Sequence, residues 1–111
     1  MIKMTPLMKE LLWTALADGA VALLGTVKPD GTPVISPKGS IAVFDDSTLS
    51  FWERSHRNTE KNLSHGGRVT VYYRNSAKMK EIPYGGGVIR FYGTARIATD
   101  PAVREKIWNN T

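Results

Sequence analysis

A chain of 111 residues, 41% hydrophobic and 23% charged, has the length and balance of one globular domain, read here as a single domain over 1–111. It contains no cysteine, which excludes a disulfide framework, a thiolate metal site and a cysteine nucleophile. The formal net charge is +5, and the excess gathers in one stretch: Arg54, Arg57, Lys61, Arg68, Arg74, Lys78, Lys80, Arg90 and Arg96 stand against only Glu60 and Glu81.

Such a stretch favours an anionic partner, whether a phosphate, a nucleic acid or an acidic substrate. A solvated basic surface accounts for the same charges. The opening Met1-Ile2-Lys3-Met4-Thr5-Pro6 has no long apolar run of the kind that forms a signal peptide or a membrane span. The expectation is a soluble, cytoplasmic protein with no membrane partner.

In chain order, Thr5 to Asp18 is predicted helical. Thr5 caps it, Pro6 suits its first position, and Leu7, Met8, Leu11, Leu12, Ala15 and Leu16 share one face. Gly19 ends it. Ala20 to Val27 is almost continuously apolar and reads as a strand buried on both sides. Lys28-Pro29-Asp30-Gly31 is a turn. Thr32 to Phe44 is a strand interrupted at Pro37 and Gly39, which implies an edge or a bulge.

Asp45-Asp46-Ser47 is a second turn, and Thr48 to Glu53 a third strand with Ser50 and Trp52 on the face opposite Leu49 and Phe51. Asn58 to His65 reads as a short helix ended by Gly66-Gly67. Arg68 to Arg74 and Val88 to Ile97 alternate as strands, joined by a polar, glycine-rich connection over 75–86. Asp100-Pro101 opens a last helix. Short strands joined by tight turns, with helices at the ends, point to a mainly β domain: a small antiparallel barrel with flanking helices.

Two stretches carry chemistry. In the first, Phe51 to Leu63, a strand leaves the barrel and a helix begins. Free backbone N–H groups and the helix dipole favour an anion there, and Arg57, Asn58 and Thr59 add donors of three kinds, with Asn62 one turn on. An ordinary capped surface helix accounts for the same residues. The second is Val34-Ile35-Ser36-Pro37-Lys38-Gly39-Ser40, where a bulged strand frees backbone groups beside apolar side chains. That combination suits the edge of a flat heterocycle. A protected edge strand is the plain alternative, and on this stretch alone the better one.

These stretches, in this order, resemble the FMN-binding split-barrel family related to pyridoxamine 5′-phosphate oxidase. The resemblance takes in the leading helix and Ala22-Leu23-Leu24-Gly25-Thr26-Val27 with its Pro29-Asp30-Gly31 turn. It continues through Ser36-Pro37-Lys38-Gly39, Thr59-Glu60-Lys61-Asn62-Leu63, Arg68-Val69-Thr70-Val71 and Ile89-Arg90-Phe91-Tyr92-Gly93-Thr94-Ala95.

The resemblance implies FMN as cofactor. Ser36, Pro37 and Lys38 would lie at the ring, Trp52 and Glu53 at the ring edge or ribityl chain, and Arg57, Asn58, Thr59 and Asn62 near the phosphate. Asn58 stands where many members carry a lysine. It further implies a homodimer with flavin between protomers, and flavin-dependent oxidation or reduction of a small-molecule substrate or electron donor. Pyridoxamine phosphate oxidases proper carry substrate-binding Arg and His near a longer C-terminus, so that activity is not carried over. The family barrel also usually has one more strand beyond the last helix. Either this sequence is a shortened version of the family chain or the barrel closes in another way; a strand truly absent would leave an exposed sheet edge and weaker folding.

Rival readings are a non-catalytic binder of flavin, haem or a deazaflavin, and, more weakly, a nucleic-acid-binding barrel with Trp52, Tyr72 and Tyr92 as stacking platforms. Hydrolytic chemistry lacks its signatures: there is no Gly-x-Ser-x-Gly, and His56 and His65 are not spaced as metal ligands. No metal is expected. Gly85-Gly86-Gly87 lacks the Lys-Ser/Thr ending of a phosphate loop and reads as a flexible hairpin. Trp13 is read as core or dimer-interface filler, and Trp108 as an anchor for a partner chain.

Overall fold

A computed structural model of the chain describes residues 3–15, 17–52, 67–78, 80, 82 and 87–109. The predicted helix over Asn58 to His65, both histidines and half of the 75–86 connection lie outside the described residues.

The first helix, α1 (Pro6–Thr14), starts as its sequence dictates. Thr5 Oγ1 accepts from the Met8 N–H at 3.2 Å and Pro6 occupies the first turn. The regular helix stops at Thr14, short of the expected Asp18. Its closure still follows the expected signal: the Asp18 N–H donates to Thr14 O (2.9 Å) and the Ala20 N–H to Ala15 O (2.8 Å), wrapping around Gly19 at φ +69°.

Strand β1 (Leu23–Val27) begins later than expected, and its two-sided burial is not found. Leu24 and Thr26 are buried, but Val27 is exposed. Only the inner face meets the core, and no described element covers the other. The turn at 28–31 forms as predicted, with the Gly31 N–H donating to Lys28 O (2.9 Å) at φ +91°. Asp30 Oδ1 accepts from the Thr32 N–H (3.0 Å), and that bond holds the Asp30 carboxyl below its ordinary pKa.

The interrupted strand resolves into two. Strand β2 (Pro33–Pro37) pairs antiparallel with β1, while β3 (Ala42–Asp45) pairs with β4 (Thr48–Ser50) in a separate two-stranded sheet, with a register shift between Val43 and Asp45. The break at Pro37 and Gly39 is therefore where the chain changes sheets. Strand β4 ends at Ser50, before the predicted Glu53.

Strand β5 (Arg68–Arg74) has its predicted limits, and β6 (Val88–Thr94) ends before Ile97. The larger sheet runs β2-β1-β5-β6, antiparallel throughout. A single 3-10 turn, Ser76–Lys78, follows β5. Helix α2 (Pro101–Asn109) is capped by Asp100, whose Oδ1 accepts from the Ala102 N–H at 2.8 Å. Two antiparallel sheets with two flanking helices make a mainly β split barrel.

The core lies between α1 and the inner face of the larger sheet. Leu11, Leu24 and Tyr73 are its most buried side chains. Tyr73 satisfies its hydroxyl through Asn75 Nδ2 (3.1 Å), which also reaches Asp18 Oδ2 at 3.4 Å. Asp18 Oδ2 accepts further from Thr14 Oγ1 (2.9 Å) and pairs with Lys78 (3.1 Å), so one carboxylate ties the end of α1 to the turn after β5. No helix among the described residues is long and apolar enough to cross a membrane.

Candidate functional site

The sheet-switching segment organises the candidate site. The Lys38 N–H donates to Ala22 O (2.9 Å), carrying the β1–β2 pairing one step past Pro37, and Gly39-Ser40 then turns. Ser40 Oγ donates to Trp52 O (3.1 Å) and accepts from the Trp52 N–H (2.9 Å). One hydroxyl thus fastens the segment that leaves β4 against the turn that follows Lys38. The two stretches singled out in the sequence meet at this bond pair.

Their side chains are distributed more widely. Ser36 is half-buried and Pro37 exposed, on opposite faces of the edge strand β2. Lys38 lines a groove of about 580 Å³ between α1 and the 38–43 segment, walled by Leu12, Trp13 and Val21, with Lys9 and Glu10 along α1. Trp52 lines a second hollow, a cavity of about 480 Å³ bounded by both sheets and α2. Ile41 borders both. Glu53, Arg57, Asn58, Thr59 and Asn62 lie outside the described residues.

The groove can receive a flat heterocycle: an apolar wall on one side, an ammonium group and a turn of backbone on the other. Lys9 is engaged by Asp46 in an ion pair that holds the Asp46 carboxyl below its ordinary range. Trp13 is 77% exposed and is not core, because it stands off the buried stripe of Leu11 and Leu12. Trp108 packs edge-on against Trp52, ring centroids 5.1 Å apart, and Arg104 lies 5.7 Å from the Trp52 ring centre.

The three aromatic residues considered as stacking platforms are spread over the fold. Strand pairing sets Tyr72 and Tyr92 on the outer face of the larger sheet, where Arg90 covers the Tyr72 ring at 5.2 Å; Trp52 lines the inner cavity, whose rim Tyr92 also borders.

Sequence reasoning passed over the cavity itself. Its described lining is mostly apolar, and its only charged residues are Arg96 and Arg104. Ser50 is buried there, with no hydrogen-bond partner for Oγ among the described residues. A signal existed: alternation along Thr48 to Trp52 places a hydroxyl on the face shared with Trp52. Closure of the hollow by α2 was not readable.

Two sheets split around a sheet-switching turn, with a helix at each end, define the class: a split-barrel protein. The chain belongs to the pyridoxamine 5′-phosphate oxidase family, whose model matches residues 8–111. Members of this family often bind flavin and act as oxidoreductases, and dimers are common among them.

Among solved structures, a tagged HupZ from Group A Streptococcus is 28% identical with a TM-score of 0.75, covering 94% of this chain and 74% of HupZ. A histidine-to-alanine variant of HupZ superposes similarly, with 28% identity and a TM-score of 0.73 over 93% of this chain and 77% of the variant. A candidate pyridoxamine 5′-phosphate oxidase from Lactobacillus delbrueckii is 26% identical with a TM-score of 0.71, over 98% of this chain and 80% of its own. No curated protein matches the chain.

Proposed function

We propose that the protein is a cytoplasmic FMN-binding flavoprotein, active as a homodimer with flavin between protomers, that oxidises or reduces a small molecule. The observation that carries this reading is the Ser40–Trp52 bond pair, which fastens the two stretches assigned to the ring and the phosphate to each other. Family membership adds to it. Ser36, Pro37 and Lys38 would hold the ring, Trp52 and Glu53 its edge or the ribityl chain, and Arg57, Asn58, Thr59 and Asn62 the phosphate.

Bound FMN supplies the electron transfer. The chain's own residues bind it, orient it and exclude water. A cation such as Lys38 beside the ring's polar edge favours negative charge there. The dimer is supported by the outer face of the larger sheet. Val27, Ile35 and Tyr92 are exposed on that face, and no described element covers it.

Titration of the purified protein with FMN and with riboflavin, followed by flavin absorbance and by sedimentation, tests this. FMN is expected to bind about tenfold or more tighter than riboflavin, as charge-assisted phosphate contacts require, on a particle of dimer mass. The combined Arg57→Ala and Thr59→Ala variant should remove that advantage and leave riboflavin affinity in place. Absence of flavin binding, or equal losses for both flavins, overturns the reading.

A further inference from the structure

The cavity between the two sheets and α2 has the features of a ligand site in its own right. At about 480 Å³ it lies within the range of small-molecule pockets. Leu24, Val71 and Phe91 form its floor from the larger sheet, and Phe51 and Ile107 face them from the other side. Such a lining takes an apolar body.

Two observations go beyond apolar shape. The first is charge. No acidic residue appears among the described lining residues, and both charged ones, Arg96 and Arg104, are exposed arginines. Arg96 follows the end of β6 and Arg104 sits on the second turn of α2. A guanidinium presents a planar fork of donors matched to a carboxylate. The second is the Ser50 hydroxyl. It is 7% exposed and without a partner among the described residues, in a wall that is mostly apolar. A buried hydroxyl left unpaired is costly, and a native structure seldom keeps one without a reason.

We propose that this cavity binds an amphipathic carboxylic acid: an apolar, ring-sized body inside, the carboxylate at Arg96 and Arg104, and a hydroxyl or carbonyl at the inner end paired with Ser50. The site shares Trp52 with the one assigned to flavin and is otherwise separate from it, because Lys38 lines the other hollow. Trp52 and Ile41 border this cavity, and Trp108 packs on Trp52 at its α2 side. Occupancy therefore reports on indole fluorescence.

Three probes separate the contributions: 6-hydroxy-2-naphthoate, 2-naphthoate and 2-naphthol, titrated into the full-length protein with and without saturating FMN. Calorimetry and tryptophan fluorescence give the affinities. The hydroxy acid should bind best, 2-naphthoate a few-fold more weakly for want of the Ser50 contact, and 2-naphthol at least about tenfold more weakly for want of the charge. Arg96→Gln should bring both acids down towards the naphthol value, and Ser50→Ala should abolish the preference for the hydroxy acid over 2-naphthoate. Arg96 is exposed, so its variant tests the charge without touching the core.

No saturation below about 1 mM, which corresponds to only about 4 kcal/mol of binding, overturns the proposal. So does equal binding of naphthoate and naphthol, or acid binding indifferent to Arg96→Gln. The FMN arm keeps the two readings apart. A protein that binds the acids and not FMN retains this site and loses the flavin, and the reverse result does the opposite.

Discussion

Helices α1 and α2 each run nine residues, each starts on a proline behind an oxygen cap, and each carries an apolar stripe. Yet α1 buries Leu11 and Leu12, whereas no residue of α2 is buried. The first sends Leu11 and Leu12 into one buried cluster with Leu24, Val71 and Tyr73 of the larger sheet while also meeting β3, and its end is locked by the Asp18 cluster. The second rests on the smaller sheet and on Trp52 through ring contacts: Lys106 over Phe44 at 4.0 Å, Arg104 over Trp52, and Trp108 edge-on to Trp52. Such contacts contribute about 0.5–2 kcal/mol each. Identical local grammar thus produced one helix that closes a core and one that borders a cavity. The difference lies in what the rest of the chain places beneath each.

The sharpest way to break that comparison is to truncate equivalent apolar residues. Leu11→Ala should cost about 2–5 kcal/mol, since it empties a filled site. Ile107→Ala, half-buried beside existing space, should cost under about 1.5 kcal/mol because it creates little new cavity. Denaturant unfolding followed by circular dichroism measures both. Equal losses would show that α2 closes a core as α1 does, and the picture of an open second end would fail.

A smaller effect should separate the α1 end by pH. The Thr14 hydroxyl first, and then Lys78, hold the Asp18 carboxyl below its ordinary value of 3.8. A carboxyl whose folded pKa lies below its unfolded one stabilises the fold fully above the unfolded value, and that contribution disappears as pH falls through the folded value. The wild type should therefore exceed Asp18→Asn in stability near neutrality, with the two curves converging below the ordinary aspartate range. Measured melting temperatures that stay parallel down to pH 2 would remove Asp18 from the fastening of α1.

Where the physics was local, the sequence was legible. Thr5-Pro6 and Asp100-Pro101 announced both helix starts, and the alternation of Val69, Val71 and Tyr73 set β5 to the residue. Pro37 and Gly39 marked a break in a strand, but the transfer of the chain to another sheet at that break depends on partners far along the sequence. The apolar run ending at Val27 read as doubly buried. Whether a second face is covered is decided by other layers, and here no described one arrives. Within the site, Ser36, Lys38 and Trp52 were reached through family resemblance, and the bond pair at Ser40 that joins their segments was not. A serine hydroxyl in a turn has many local partners, and nothing in its neighbours specifies a residue twelve positions on. Ser50 was placed on the Trp52 face without any reason to expect it unpaired.

Ser50 also supplies the smallest and most discriminating stability change. Removing a buried hydroxyl that has a partner costs stability, whereas removing one that has none relieves an unmet desolvation cost. Ser50→Ala should therefore leave the ligand-free protein unchanged or raise its stability by up to about 1 kcal/mol, seen as a shift in denaturant midpoint at constant slope. The same substitution weakens the hydroxy acid in the binding assay, so stability and affinity move in opposite directions at one atom. A Ser50→Ala protein destabilised by more than about 1 kcal/mol would mean that the hydroxyl is already satisfied. The inner end of the proposed acid site would then have no donor to offer, and the contrast between a sealed α1 end and a receptive α2 end would rest on cavity shape and the two arginines alone.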